Sequence, residues 1–268
     1  MNPPVALTVA GSDPSGGAGL QADLKTFAAF DVYGAAVVTC LTAQNTVGVR
    51  EVVHLTPEFV RAQLDAVLDD IVVGAMKTGM LGTAGIVAAL AAAIAARPAP
   101  LTLVVDPVMI ATSGDALVEP DAILAIRSRL LPLAALATPN LPEAAALAGR
   151  PVEGPASVRE AARAIRDLGV AAVLVKGGHA AGPATDLLLD GDGFHEFTAE
   201  RLDVGALHGG GCSLSAAIVA GLASGRDLRE AIGDAKAWTW EAIRVAPAIG
   251  RGARPLDHRL RPRAHRPA

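Results

Sequence analysis

The strongest constraint on the fold is a regular alternation of short apolar segments with longer segments of helical periodicity. Residues 5–10 are apolar and lead through a glycine-rich turn into a helix-like segment over 19–30, and residues 35–41, rich in β-branched side chains, follow. Apolar runs without polar alternation are typical of parallel strands buried on both faces. The sequence therefore predicts a three-layer α/β/α fold with a mostly parallel central sheet.

The alternation continues over most of the chain. Thr83 is in position to cap a helix that ends near Ala96, and Pro142 stands in the first turn of another helix. The remaining predicted elements are strands at 74–77, 101–105, 135–138 and 170–176, helices at 57–70, 142–148, 158–168, 213–223 and 228–245, and a hairpin formed by 186–189 and 194–197.

Composition excludes several classes of protein. Of 268 residues, 51% are hydrophobic but only 3% are aromatic, so alanine and the aliphatic residues must form the core. The longest apolar runs, such as 86–96, are about half a membrane span, and the N-terminus lacks the basic region of a signal peptide. Two cysteines, Cys40 and Cys212, are too few for a disulfide framework. We therefore expect a cytoplasmic protein.

The charge is distributed unevenly. Six of the 23 basic residues lie within 251–268, but only one of the 27 acidic residues does, so the body of the chain is acidic. An acidic body argues against a nucleic-acid-binding protein. No linker rich in Pro, Gly or Ser divides the chain. We expect one domain over residues 1–258 and a disordered, Arg-rich tail over 259–268.

The first loop after a predicted strand is rich in glycine. Gly11 and Gly16 have the spacing of a Walker A phosphate loop, but Gly17 and Ala18 stand where Lys and Ser/Thr are required. The glycine spacing is also wrong for a dinucleotide-binding fingerprint. Two interpretations stay open: a turn that lets a ligand approach the backbone closely, or a long structural loop.

The segment 42–46, TAQNT, follows the next strand. Its hydroxyl and carboxamide groups, with Gln44 at the centre, suit hydrogen bonding to a polar heterocycle. The alternative is a polar turn that closes the strand. Ligands of open α/β sheets bind beyond the carboxyl ends of the strands, which is where this segment lies.

Three oxygen-bearing residues and a lysine follow the later strands. Asp106, Asn140 and Glu143 offer the hard oxygen ligands that Mg²⁺ prefers. Asn140 and Glu143 also have the spacing of a reciprocal capping box, and Asp106 alone could cap a turn. Lys176, at another strand end, can meet a phosphate as a point charge.

The segment 208–213, HGGGCS, opens an apolar helix. Free glycine amides and a helix N-terminus together predict an anion hole. The same position predicts a lowered pKa for the Cys212 thiol, which could then act as a base or nucleophile. His-Gly-Gly-Gly also occurs in esterases, but these need a Gly-x-Ser-x-Gly elbow and the segment 211–215 lacks its last glycine. A structural helix entry with a buried cysteine is the remaining alternative.

Taken together, these loops make the chain resemble the hydroxymethylpyrimidine/phosphomethylpyrimidine kinases of thiamine biosynthesis, in the ribokinase-like superfamily. The resemblance covers residues 5 to about 258. It is carried by the runs GSDPSGGAGLQADLKTFAAFDVYG, LTAQNTVGV, KTGMLG, DPVM, TPNLPEA, VLVKGGH and AIGRGARPLDH, in that order.

The resemblance implies ATP- and Mg²⁺-dependent phosphorylation of 4-amino-5-hydroxymethyl-2-methylpyrimidine and then of its monophosphate. It implies that Gln44 hydrogen-bonds the pyrimidine edge. Gly11 and Asp23 are expected to line the substrate pocket, and Met80 and Val108 are expected to pack on the ring.

The resemblance also assigns the phosphate side. Asn140 and Lys176 are expected to bind the nucleotide, and Glu143 and Asp106 the magnesium ion. The catalytic group is expected to comprise a base that takes the hydroxyl proton, Cys212, and the backbone amides that stabilise the transferred phosphoryl, those of Gly209, Gly210 and Gly211.

One stretch departs from the family pattern. The family usually has Asn-Thr-His-Gly-Thr-Gly-Cys, and residues 206–212 read ALHGGGC. Three side-chain hydrogen-bonding groups are therefore absent, although the amides remain. The departure motivates one alternative, a catalytically decayed ligand-binding homologue. A second alternative is a pyridoxine/pyridoxal kinase, whose substrate is also a small aromatic ring with a hydroxymethyl group. We also expect a homodimer.

Overall fold

A computed structural model describes residues 2–109, 118–178 and 182–262. The strands, in chain order, are β1 (Val5–Ser12), β2 (Tyr33–Gln44), β3 (Val49–His54), β4 (Ala75–Thr78), β5 (Leu103–Val105), β6 (Leu136–Ala137), β7 (Ala172–Val175), β8 (Ala184–Asp190), β9 (Gly193–Ala199), β10 (Leu207–His208) and β11 (Arg254–Pro255). The helices are α1 (Gly19–Ala29), α2 (Pro57–Leu68), α3 (Ala84–Ala95), α4 (Pro120–Ala125), α5 (Leu141–Ala148), α6 (Pro155–Arg166), α7 (Gly210–Ala223) and α8 (Leu228–Arg244).

The main sheet has nine strands in the order β3-β2-β1-β4-β5-β6-β7-β8-β9. The six central strands are parallel to one another; in sheet order they are β2, β1, β4, β5, β6 and β7. At the two edges, β3, β8 and β9 pair in the antiparallel sense. Because the parallel strands run the same way, the loops that follow β1, β2, β4, β5, β6 and β7 all reach one edge of the sheet.

Helices cover both faces of this sheet, as expected for strands that are apolar on both sides. One core packs α2 to α6 against the sheet, with Leu64 and Leu90 fully buried. The other packs α1, α7 and α8 against the opposite face, with Phe27 and Trp238 at its centre. The predicted three-layer, mostly parallel α/β/α fold is confirmed. Thr83 caps α3 as predicted, since its side chain accepts a hydrogen bond from the backbone amide of Ile86.

The sequence did not indicate β3 or α4. The strand β3 is an edge strand with no buried residue, so it shows no apolar pattern. In α4 the first residue is a proline and the helix spans only one and a half turns. The following residues, 126–130, form a π-helical turn.

The first four residues of the Arg-rich tail differ from the expected disorder. The Leu260 carbonyl accepts a hydrogen bond from Trp238 Nε1 at 3.0 Å, and Arg261 donates to the Ala28 carbonyl at 3.1 Å. Trp238 belongs to α8 and Ala28 to α1, so these contacts hold residues 259–262 against both helices. Residues 263–268 lie outside the described part of the chain. Among the described residues, no helix combines the length and apolarity that crossing a membrane requires.

Candidate active site

The loops at the carboxyl edge of the parallel strands enclose a pocket of about 860 Å³. Every residue to which the resemblance assigns a role in the site lines this pocket: Gly11, Asp23, Gln44, Met80, Asp106, Val108, Asn140, Glu143, Lys176, Gly209, Gly210, Gly211 and Cys212. The topology therefore brings together residues that are up to two hundred positions apart in the chain.

One end of the pocket is built by hydrogen bonds around the carboxylate of Asp13. Its oxygens accept from the Ser15 hydroxyl at 2.7 Å and from the amides of Gly17 and Ala18 at 3.1 and 2.9 Å. His208 Nε2 lies 2.8 Å from Asp13 Oδ2. Burial alone would raise the pKa of Asp13, but the bonds from His208 and Ser15 outweigh it and lower the pKa to about 2. Asp13 is therefore ionised at neutral pH.

Gln44 lies beside this pair at the end of β2. Its Nε2 is 3.3 Å from His208 Nε2, and its Oε1 is 3.1 Å from the Thr42 hydroxyl, which also donates to the Ser12 carbonyl at 2.9 Å. Gln44 is thus held on two sides while its amide still faces the pocket. We call this region the polar end of the pocket; it comprises Asp13, Thr42, Gln44 and His208.

The other end contains buried charges. Lys77, in the middle of the sheet, has no exposed side-chain surface and forms an ion pair with Asp23 at 2.8 Å. Its Nζ is 3.9 Å from the carboxylate of Asp106. Burial raises the pKa of Asp23. For Lys77 burial alone would lower the pKa, but the attractions of its neighbours, that of Asp23 first among them, together outweigh burial and raise the pKa. Asp23 therefore serves to hold Lys77 below the pocket, and its other oxygen accepts from Thr8.

Asp106 joins the two lysines of this region. Its Oδ1 accepts from Lys176 Nζ at 2.7 Å and from the Thr138 hydroxyl at 3.1 Å, and its Oδ2 accepts from Ser215 at 2.9 Å. Burial would raise the pKa of Asp106, but the charges of Lys176 and Lys77 lower it. Asp106 is thus an ionised carboxylate with donors on both oxygens.

Asn140 and Glu143 form the capping box that the sequence allowed as an alternative. The Asn140 side chain accepts from the Glu143 amide at 2.9 Å, and Glu143 Oε2 accepts from the Asn140 amide at 2.8 Å. Burial raises the pKa of Glu143 to about 7, and the charge of Lys176, 3.9 Å away, opposes the rise. Capping does not exclude a second role, because Glu143 also lines the pocket. The charged end, as we call this region, comprises Asp23, Lys77, Asp106, Glu143 and Lys176.

The three glycines between the two ends differ from one another. Gly209 has a φ of +81°, and a Cβ there would lie 1.9 Å from the Gly17 carbonyl oxygen. A Cβ at Gly211 would lie 3.1 Å from Lys176 Nζ, whereas at Gly210 the nearest atom would be 4.0 Å away. Helix α7 begins at Gly210, so the amides of its first turn have no partner within the helix, and Gly209, Gly210 and Gly211 line the pocket. His179, at the end of the KGGH segment, lies outside the described residues.

The C-terminal segment holds this glycine stretch in place. The strand β11 pairs with β10, which contains His208, and the His258 ring lies 2.8 Å from the Ser213 hydroxyl in the first turn of α7. Burial lowers the pKa of His258 to about 4, so its ring is neutral at physiological pH. The segment thus fixes both flanks of a stretch whose own side chains provide no support.

The predicted lowering of the Cys212 pKa is wrong. Burial raises the pKa of the thiol to about 11, and the nearby charge of Lys77 opposes this rise only in part. The helix N-terminus favours a thiolate, but its effect is smaller than the cost of desolvating the charge. Cys212 is therefore a neutral thiol at pH 7, and its residue lines the pocket.

Sequence reasoning missed four residues that shape the site: Asp13, Lys77, His208 and Ser215. Lys77 left a usable signal, because a lysine within an otherwise apolar strand must find a buried partner. Asp13 lies in a loop whose glycines dominate its pattern. The pocket also extends to a wall lined by Trp240 and by Lys236 and Asp186, which form an ion pair at 2.7 Å, and no local sequence pattern indicates this wall.

Comparisons with known proteins agree with this architecture. The family model described as phosphomethylpyrimidine kinase matches residues 13–257. The hydroxymethylpyrimidine/phosphomethylpyrimidine kinase of Rhizobium meliloti (strain 1021) is 51% identical over 258 residues, which are 95% of this chain and 96% of that protein.

Solved structures are similar over nearly the whole fold. The pyridoxal kinase of Bacillus subtilis, solved as an ADP complex, has a TM-score of 0.88 at 38% identity and covers 96% of this chain and 98% of its own. The phosphomethylpyrimidine kinase of Clostridium difficile 630 has a TM-score of 0.80 at 40% identity, covering 89% and 99%. The sheet, its two helical layers and the strand-end pocket therefore define a ribokinase-like phosphotransferase. Within that class, the chain belongs to the phosphomethylpyrimidine kinase family, which confirms the resemblance identified from the sequence.

Proposed function

We propose that this protein transfers the γ-phosphoryl group of ATP to the hydroxymethyl oxygen of 4-amino-5-hydroxymethyl-2-methylpyrimidine, and then phosphorylates the monophosphate, in thiamine biosynthesis. The observation that carries the proposal is one pocket with a hydrogen-bonding end suited to a heterocycle and a charged end suited to phosphates. Relatives with this pair of activities in their names cover the whole domain.

At the polar end, Gln44 is proposed to bind the ring. A carboxamide both donates and accepts, so it matches a ring nitrogen and the neighbouring amino group at once. Gly11 lines the pocket, where its backbone is proposed to lie against the ring, and a side chain is excluded there because a Cβ would lie 2.6 Å from the buried Cys40 Sγ. The apolar walls for the ring faces are provided by Met80 and Val108, both in the pocket lining.

At the charged end, Lys176 and Asn140 are proposed to bind the nucleotide phosphates. Lys176 reaches the pocket beside Gly211, so one cation and the amides of Gly209, Gly210 and Gly211 face the same space. Donors fixed in advance around the transferred group stabilise the charge that develops on it. This arrangement needs no side chain from the glycines, in agreement with the departure of this stretch from the family pattern.

Magnesium is the proposed metal, with Glu143 and Asp106 as its carboxylates. No group of three or more His, Cys, Asp or Glu side chains that could hold an ion occurs in the described ranges. The donor set nevertheless fits Mg²⁺, because this ion commonly takes one or two carboxylates and completes its shell with waters and substrate phosphates. When bound, it would neutralise phosphate charge. Glu143 fits this role better than Asp106, whose two oxygens already accept from Thr138, Lys176 and Ser215.

Cys212 is proposed to accept the hydroxyl proton. Because the pKa of the thiol is about 11, only its thiolate form can accept the hydroxyl proton. That form arises when the thiol releases its own proton to solvent, and the charge of Lys77 assists this release. A loose transition state for phosphoryl transfer needs little base strength, so correct placement of the acceptor matters more than its pKa.

Coupled ADP release with the hydroxymethylpyrimidine and its monophosphate as the two substrates tests the proposal. Turnover of both with ATP and Mg²⁺ is the expected result. Binding heat without turnover would indicate a decayed, ligand-binding homologue instead. Pyridoxal belongs in the same assay as the second candidate substrate, because a pyridoxal kinase is among the structures similar over the whole domain. A kcat/KM for pyridoxal above that for the pyrimidine would reverse the assignment.

Two further proposals concern the state of the protein. We propose that it pairs with a second copy through the β2–β3 edge, where the cross-strand neighbours Leu41 and Val53 are 50% and 52% exposed. Light scattering of the double variant Leu41→Glu, Val53→Lys tests this, and a dimer that persists contradicts it. We also propose that it works in the cytoplasm, since Cys40 and Cys212 are free thiols.

A further inference from the structure

The hydrogen bonds around Gln44 contain a conflict of donors. His208 Nε2 lies 2.8 Å from Asp13 Oδ2 and 3.3 Å from Gln44 Nε2. An ionised carboxylate only accepts hydrogen bonds, and the remaining partners of Asp13 are already donors. His208 Nε2 must therefore carry a hydrogen and point it at Asp13. The NH₂ group of Gln44 would then face another donor.

A second conflict lies on the other side of the amide. The Thr42 hydroxyl has one hydrogen but two acceptors, the Ser12 carbonyl at 2.9 Å and Gln44 Oε1 at 3.1 Å. The nitrogen and oxygen of a glutamine amide are distinguished by their partners rather than by their positions. Exchanging the two atoms of Gln44 removes the contact between two donors and leaves the Thr42 hydrogen with one acceptor. The amide nitrogen then donates to Thr42, whose hydrogen goes to Ser12, and the amide oxygen, 3.3 Å from His208 Nε2, shares the N–H that points chiefly at Asp13.

We propose that the Asp13–His208 pair and Thr42 are positioning residues that fix which end of the Gln44 amide is donor and which is acceptor, and that they thereby determine substrate specificity. The inference rests on the proposed function, in which Gln44 binds the ring edge. The locked amide keeps one N–H on the Thr42 side and one oxygen lone pair on the His208 side for the ligand.

A locked amide accepts only a ring edge of complementary order. In the aminopyrimidine, a ring nitrogen acceptor neighbours an amino donor, and this pair matches the amide N–H and oxygen. In the 4-oxo analogue, 5-hydroxymethyl-2-methylpyrimidin-4-one, the ring N–H is a donor and the carbonyl an acceptor, so the order is reversed. Binding the analogue leaves buried groups unpaired, and such mismatches give strong discrimination.

The tautomer of His208 is the first test, and it requires no substrate. Long-range ¹H–¹⁵N correlation spectra of the ¹⁵N-histidine-labelled protein identify the protonated ring nitrogen, with His208→Gln to assign the signal. We expect a hydrogen on Nε2. A neutral ring protonated only on Nδ1 would overturn the inference, whatever the protein phosphorylates.

The second test compares the amino and 4-oxo alcohols as substrates. Asp13→Asn can donate to His208 Nε2 and so release the ring tautomer; we expect the ratio of kcat/KM for the amino over the 4-oxo alcohol to fall about tenfold. Thr42→Val, which removes the other side of the lock, should lower the same ratio by a smaller factor. Asp70→Asn, the same substitution at an exposed position, serves as the control and should leave the ratio unchanged.

The ratio separates positioning from general damage to the loop. A distorted loop would lower kcat/KM for both alcohols together and leave their ratio at the wild-type value. An unchanged ratio in both Asp13→Asn and Thr42→Val therefore overturns the inference. If the wild type phosphorylates neither alcohol, the proposed function fails, and the tautomer measurement decides the inference by itself.

Discussion

The two ends of the pocket are stabilised by different kinds of interaction. The polar end relies on hydrogen bonds whose donors and acceptors must match one by one, with Asp13 as its single fixed charge. The charged end relies on two lysines and three carboxylates that are buried close together. The hydrogen bonds of the polar end can distinguish one ring edge from another. The charges of the charged end can balance those of phosphate groups that bind and are released.

This difference determines how each end should respond to mutation. Hydrogen-bond networks lose specificity when one member changes, because the donors and acceptors that remain no longer match one by one. Buried ion pairs lose stability when one partner is removed, because the other charge stays behind in a low-dielectric interior. Substitutions at the charged end should therefore affect folding, and those at the polar end should affect substrate binding.

Lys77→Met should have the largest effect. The substitution leaves the buried carboxylates of Asp23 and Asp106 without one of their cations, which should lower the free energy of unfolding by about 3–5 kcal/mol. Urea denaturation measures this loss. The exposed Lys25, changed to Met, is the matched control and should cost little. Adding Asp23→Asn to Lys77→Met should recover part of the stability; no recovery would contradict the charge argument.

Cys212→Ala should lower kcat by roughly 10²–10⁴-fold, the usual cost of a lost general base. Cys212→Asp should retain more activity, because a carboxylate can take the same proton. Since the thiol pKa is about 11, its deprotonated fraction grows as pH rises toward that value. The wild-type kcat should therefore increase above pH 7, and that of Cys212→Asp should not. Equal rates for the alanine variant and the parent at saturating ATP would make Cys212 a structural residue.

Gln44→Ala should change binding at the polar end without affecting stability. Leaving the polar edge of the ring unpaired costs about 1–3 kcal/mol, so the KM for the pyrimidine alcohol should rise. The KM for ATP should stay at its wild-type value, because Gln44 belongs to the opposite end of the pocket. Unchanged KM and kcat for the alcohol would remove Gln44 from the site.

Glu143→Gln should separate the two roles of this residue. Glutamine can still cap α5 from the third helical position, so the helix should stay intact. The lost anionic oxygen should raise the Mg²⁺ concentration for half-maximal turnover, by about tenfold. Glu143→Ala removes the cap as well and should in addition lower the melting temperature. An unchanged magnesium requirement in Glu143→Gln would leave only the capping role.

The same variant has a pH signature. The folded-state pKa of Glu143, about 7, lies above its unfolded value of 4.5, so protonation favours the folded state. This contribution is fully present below pH 4.5 and is lost as pH rises through 7. The Glu143→Gln variant has no carboxyl group to ionise at this position, so it does not lose this contribution. Its free energy of unfolding, relative to that of the wild type, should therefore increase between pH 4.5 and pH 7. Denaturation curves at pH 4.5 and pH 8 measure the change.

Local patterns in the sequence were sufficient for most of the elements and for part of the pocket lining. The strands and helices follow from apolar periodicity, and strand ends of a parallel sheet meet at one edge, so Gln44, Asn140 and Lys176 could be placed together. The ion pair of Lys77 with Asp23 could not be found this way, because it joins residues 54 positions apart, one on β4 and the other on α1. The prediction of a lowered pKa for Cys212 was wrong for the same reason. The helix start is a local signal in the sequence, whereas burial results from the packed structure.

Gly210→Thr should have the smallest effect, and its neighbours make it a sharp test of the boundary between the two ends. Residue 210 begins α7 with an ordinary negative φ, and a new Cβ would find its nearest neighbour, Leu256 Cδ1, at 4.0 Å. Replacing glycine where the backbone allows it stabilises a protein by about 0.4–1 kcal/mol through the unfolded chain. Activity should therefore be equal to that of the wild type or slightly higher.

The adjacent glycines supply the controls for this substitution. Gly209→Thr would force a side chain onto a backbone with a φ of +81° and onto the Gly17 carbonyl, so it should disrupt the amide-lined hole. Gly211→Thr should fall between the two, because its Cβ meets only the flexible end of Lys176, at 3.1 Å. The expected order of kcat is thus Gly210→Thr, then Gly211→Thr, then Gly209→Thr. If Gly210→Thr is as inactive as Gly209→Thr, the flexibility of residue 210 itself is needed for turnover, and the glycine stretch acts as more than a row of fixed amides.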